Sequence, residues 1–192
     1  MKNTVILSIL CTALAWGAGC SLLSTPEYKE VAFYDLAAEK GVERITSVPA
    51  EFRSFSESGG NGVRFPVRES GGRIRFDSCN CFAAPPAQLI RSRLIGLFPA
   101  AYSDDAVKVN ALLNRFECDR QSGKTFMSID YQLLYNKQKK AVRHELETKV
   151  SKFDGPGIAA AFETTVIRSA RRLAGEITVF KKQCAGKKEK RK

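Results

Sequence analysis

Apolar and polar positions begin to alternate at Val31, where Val31, Phe33 and Asp35 oppose Ala32, Tyr34 and Leu36, and this predicts a first strand. Residues 45–55 form a second extended segment. Pro49 places it at a sheet edge or a bulge, because proline brings no N–H to a ladder. Residues 56–62 are a Gly/Ser-rich loop. The clearest hairpin follows, with Val63, Phe65 and Val67 joined through Glu69-Ser70-Gly71-Gly72 to Ile74 and Phe76. Arg64, Arg68, Arg73 and Arg75 take the opposite parity, so one face is expected to be apolar and the other basic.

At Pro85 and Pro86 the period changes. Leu89, Ile90, Leu94, Leu97 and Phe98 recur at three- and four-residue spacing, which predicts a helix with one buried stripe, ended by Pro99. Residues 107–118 and 126–135 read as two long strands. In the second, Met127, Ile129, Tyr131, Leu133 and Tyr135 alternate with Ser128, Asp130 and Gln132. After a turn at 136–140, a last strand sets Val142, Leu146 and Val150 on one face. Asp154 as N-cap and Pro156 in the first turn open a final helix. Its stripe is Ile158, Phe162, Val166, Ala170, Leu173 and Ile177, with Arg168, Arg171 and Arg172 beside it. Strands grouped around two helices, without regular alternation, predict an α+β domain with a mostly antiparallel sheet covered on one face.

Before Val31 the pattern is of another kind. Lys2 is followed by an uncharged apolar stretch from Val5 to Trp16, and Gly17-Ala18-Gly19 supplies small residues just before Cys20. That is the layout of a secretory signal, and the apolar run is shorter than the roughly 20 residues a permanent span requires. Gly17-Ala18-Gly19-Cys20 resembles a lipobox, with Gly17 where an aliphatic residue is usual, so Cys20 is expected to be acylated. The alternative is an ordinary cleaved signal with Cys20 left to a disulfide. Cys11 lies inside the discarded segment. Ser21, rather than Asp, follows the cysteine and by resemblance points to the outer membrane. The expected organisation is a signal at 1–19, a lipidated tether at 20–30, one domain at 31–182, and a basic, disordered tail at 183–192.

Charge narrows the partners. The chain of 192 residues carries a formal charge of +11, which falls to about +10 once Lys2 is removed. Such a field favours anionic lipid, lipopolysaccharide or an acidic protein face; nucleic acid does not fit an exported protein. The basic hairpin face around Arg64, Arg73 and Arg75, and the late helix near Arg168 and Arg172, are candidate contacts for a partner or an anionic lipid. Plain solvated surface is the alternative.

Catalytic candidates are few. His144 is the single histidine, so a serine or cysteine mechanism would have to run through it, yet it shares parity with Val142, Leu146 and Val150. Ser122-Gly123-Lys124-Thr125 joins two strands instead of opening a helix, which excludes a phosphate cradle. Cys79, Cys81, Cys118 and Cys184 remain after processing and allow three full disulfide connectivities. Pairing is expected in an oxidising compartment. Free buried thiols, or a metal or redox role at Cys79-Asn80-Cys81, are the alternatives. No metal, cofactor or enzymatic activity is expected.

The order of motifs carries a resemblance. A lipobox is followed by Phe33-Tyr34-Asp35-Leu36, then by a hairpin running into Ala84-Pro85-Pro86 with Leu89-Ile90 and Leu94. Paired long strands come next, and a late helix rich in alanine and hydrophobics comes last. This resembles the ABC-type transport auxiliary lipoproteins, the family of the paraquat-inducible protein C component. In many members a tryptophan precedes the proline, where this chain has Cys81-Phe82. The resemblance implies a periplasm-facing, non-enzymatic accessory of lipid traffic in the cell envelope. It would act beside an ABC transporter permease and ATPase and a mammalian-cell-entry protein, in some members as a homo-oligomeric ring. The competing reading is a free-standing envelope lipoprotein that binds a lipid or cell-wall ligand.

Overall fold

The computed structural model describes residues 29–36, 44–59, 62–99 and 105–189, with side chains to residue 186. The signal, the lipobox and Cys20 lie outside the described residues, as do residues 190–192.

The longest alternating runs form the longest strands. β5 (Val107–Asp119), β6 (Lys124–Tyr135) and β7 (Gln138–Lys149) make an antiparallel meander; the first four strands are β1 (Ala32–Tyr34), β2 (Ala50–Glu57), β3 (Arg64–Arg68) and β4 (Ile74–Phe82). Met127, Ile129, Tyr131 and Leu133 of β6 are all buried, as their parity predicts. Asn136 and Lys137 join β6 to β7 with φ of 48° and 62°. These are the two left-handed positions of a type I′ turn, whose twist matches that of the flanking strands. Among the described residues the seven strands form one sheet, ordered β1-β4-β3-β5-β6-β7, with β2 also on β5.

The sheet is mixed. Its two longest ladders are antiparallel, but β1–β4, β2–β5 and β3–β5 are parallel. The reason lies in the Gly/Ser-rich segment. β2 lies along residues 107–113 of β5 and β3 along 118–119 of the same strand. The loop between them therefore carries the chain forward along one side of β5 instead of reversing it.

Two helices, α1 (Pro86–Leu97) and α2 (Gly155–Glu189), pack on one face. The N–H of Ala87 donates to Glu57 Oε1 at 2.8 Å, so β2 supplies a carboxylate to the start of α1. The N–H of Gly157 donates to Asp154 Oδ1 at 2.9 Å, the N-cap read from the sequence. Both helical stripes are buried in a single core, centred on Phe65, Phe82, Phe116 and Phe162, with Phe116 stacked on Phe162 at 4.0 Å. Among the described residues no helix is long and apolar enough to cross a membrane.

Two expectations are corrected here. Ile74 and Phe76 do not share the inner face of Phe65 and Val67; they are 43% and 41% exposed, and Phe76 pairs with Pro66. Arg75 pairs with Val67 instead. The register shifts between Arg64 and Pro66, where the Asp77 carboxylate accepts the N–H groups of Cys79 and Asn80, and this bulge in β4 flips its parity. The hairpin therefore has no single basic face. The second correction concerns the tail. α2 continues to Glu189, past the expected boundary at 182, because Phe180 and Cys184 extend the buried stripe by two turns.

Candidate functional site

The four cysteines are all free thiols. Topology explains why the expected disulfides do not form. Cys118 is paired with Thr125 at one end of β6, whereas Cys184 Sγ lies 3.7 Å from Gln138, beside the other end. About ten residues of strand at roughly 3.4 Å each separate those ends. Cys81 sits on β4, with β3 between it and β5, about two strand spacings of roughly 4.8 Å from Cys118. Cα atoms more than about 7 Å apart cannot be bridged. Burial, and then the Asp119 charge, push the Cys118 thiol up to about 12. Among the described residues no group of three or more acidic, histidine or cysteine side chains is placed to hold a metal.

His144 joins a sealed network. Its Nδ1 is 2.9 Å from Ser169 Oγ, which is 3.0 Å from the Tyr131 hydroxyl. A serine beside an imidazole has the form of a nucleophile and base. Here, however, all three residues are at most 1% exposed. Burial holds the imidazole down to about 4, so it is neutral, and burial likewise raises Tyr131. The arrangement ties β6 and β7 to α2. A second hydroxyl set, buried Thr125 and Thr165 with half-buried Thr148, does the same nearer the start of the helix.

The candidate arginines are scattered rather than gathered. Arg64 and Arg73 are exposed, and Arg75 lines a recess with Glu69 and Asp77. Arg68 is drawn onto Glu117, at 2.7 and 2.9 Å, and Arg115 joins the same carboxylate. Burial opposes ionisation of Glu117, but these two arginines hold its carboxyl below the usual range. Across the molecule, Arg168 donates to the carbonyl of Glu147 at 2.6 Å, and Arg172 is exposed on α2.

The face of the sheet away from the helices carries the open surface. A trough of about 680 Å³ crosses β2, β5, β6 and β7, where Ser54, Ser56 and Ala141 leave room for it. Its rim is a polar ladder. Arg143 grips Asp130 at 2.6 and 2.9 Å and holds that carboxylate below its usual range, and Asn110 receives a hydrogen bond from Ser54. At the β6–β7 turn the same face ends in a smaller recess of about 270 Å³ with Arg53, Lys108, Lys137 and Lys139 around it. Sequence reading missed both hollows. The signal was present as small residues at solvent parity and as lysines two strands apart in register.

No protein-family model matches the sequence, and neither does any curated protein. Solved structures do match. One, described as an uncharacterized protein, has a TM-score of 0.65 at 16% identity, covering 78% of this chain and 99% of its own. Another is a Xanthomonas campestris protein of family model DUF330, with a TM-score of 0.57 at 18% identity, covering 81% of this chain and 99% of its own. The likeness shows the fold.

Proposed function

We propose that this chain is a membrane-anchored, non-enzymatic accessory lipoprotein of an envelope lipid-transport system. In this reading Cys20 carries the acyl chains, and the domain faces the periplasm from the outer membrane. It works through protein partners, namely an ABC permease and ATPase and a mammalian-cell-entry protein, and copies of it associate into a ring. One observation carries the reading: the described fold overlaps nearly the whole of a DUF330 structure, from a family associated with ABC-transport auxiliary lipoproteins. The signal-like start ending at Cys20 supports it, as does the sealing of His144 away from any substrate. A lipid anchor holds such a domain at high effective concentration near its partner, so a modest interface suffices.

The test is cross-linking in cells followed by mild detergent extraction of the full chain. The expected result is capture of a mammalian-cell-entry protein or a transporter subunit, with Cys20→Ala released from membranes and failing to capture it. Retention of Cys20→Ala on membranes would remove the anchor. Capture of no transport component would remove the accessory role and leave the free-standing lipoprotein.

A further inference from the structure

Charges on the open face of the sheet are balanced nearly everywhere. Lys124 pairs with Glu147, Arg143 with Asp130, and Arg68 and Arg115 with Glu117. The recess at the β6–β7 turn is the departure. Lys108, Leu134 and Lys139 stand in register on three adjacent strands, so two lysines flank one leucine. Lys137 stands at the lip, and Arg53 closes the side from β2. Among the described residues no acidic side chain lines the hollow. Glu51, in register with Lys108, is held by Arg53 at 2.9 Å, and Asp105 is engaged by Tyr135 and Lys181, each at 2.6 Å.

Like charges converging on one hollow oppose folding unless something anionic comes between them. The turn adds to the argument. Its second position favours glycine, yet a lysine occupies it at φ 62°, a conformation that costs an L-residue on the order of 1 kcal/mol. A local conflict of this kind, next to unbalanced charge, is characteristic of a site kept for binding.

We propose that this recess binds a phosphate ester group. Lys108, Lys137 and Lys139 supply the donors, beside Arg53 already held on Glu51, and half-buried Leu134 offers an apolar patch for whatever the phosphate is attached to. A compact, doubly charged or diester phosphate suits lysine ammonium groups, which act as point charges without the planar match that a carboxylate finds in arginine. The same chemistry is presented by a phospholipid headgroup and by free phosphate. The inference stands on the described domain and does not depend on the transport reading.

Native mass spectrometry of the full-length protein in neutral detergent tests it, with phosphatidylglycerol and inorganic phosphate as probes. Wild type should hold phosphatidylglycerol, and Lys108→Gln/Lys139→Gln should lose at least about tenfold in occupancy. Arg44→Gln/Arg171→Gln, which removes the same charge from exposed positions elsewhere, should bind as wild type does. Thermal melts of both variants check that the fold is intact. If inorganic phosphate displaces the lipid, the phosphate alone is recognised; if it does not, the apolar patch is needed and the ligand is a lipid. Equal binding by wild type and the lysine variant, or equal loss in the arginine variant, overturns the proposal. The first result would put binding elsewhere, and the second would make it a property of net charge.

Discussion

Arg93 shows what a single buried charge demands. It lies on α1 three residues after Ile90 and four before Leu97, so the helix carries it into the core, where it is 4% exposed. Its Nη2 donates to Glu163 Oε1 at 2.8 Å, while its Nε has no partner. Removing one member of a buried pair leaves an uncompensated ion, whereas replacing the pair with apolar groups is far milder. Glu163→Ala should therefore cost about 3–5 kcal/mol in urea unfolding, and Arg93→Met/Glu163→Leu well under half of that. The periodicity contained the signal for this residue, since the stripe passes through position 93. Nothing in the sequence indicates that the partner would be Glu163, 70 residues away on the other helix.

At the scale of elements, packing at the start of α2 outweighs helix propensity. A Cβ on Gly155 would run into Asn80 Oδ1 and the Tyr34 hydroxyl, whereas one on Gly175 would meet nothing. Both positions lie in the same helix, and alanine is the better helix former by nearly 1 kcal/mol. Gly175→Ala should raise the stability by about 0.5–1 kcal/mol. Gly155→Ala should lower it by about 1–3 kcal/mol, the usual cost of overpacking. Thermal melting of the two variants reads both, and opposite signs are the expected outcome. The same contrast runs through β4. Parity alone put Ile74 and Phe76 in the core, and the Asp77 bulge, a local matter of one carboxylate and two N–H groups, turned them out.

For the molecule as a whole, His144 links stability to pH. Burial first, and then the Arg172 charge, lower its pKa from 6.5 to about 4, with Glu176 acting the other way. Below pH 6.5 the unfolded chain takes up the proton while the folded one refuses it. The contribution is therefore complete above pH 6.5 and is lost as the pH falls from 6.5 toward 4. Its full size is on the order of 3 kcal/mol. Urea midpoints should fall across that window in wild type, and His144→Gln, which cannot take a charge, should flatten the fall. An unchanged slope in the variant would assign the titration to another group.

Periods of two and about 3.6 depend only on residue order. The seven strands, the two helices, the Asp154 cap and the buried place of His144 were therefore legible in the sequence. The expectation for Cys20 rests on a local motif alone and lies outside the described residues. Other features depend on which segments lie side by side, and the chain does not announce that. The forward step from β2 to β3 made part of the sheet parallel. The length of β6 and the two strand spacings from β4 to β5 kept the cysteines apart, and Glu117 took Arg68 out of the supposed basic face. The lysines of the recess are 31 positions apart in sequence, Lys108 to Lys139, and only the ladder β5–β6–β7 sets them on either side of Leu134. Charge at a distance along the chain becomes a site only when hydrogen-bonded register, set by the whole sheet, brings it together.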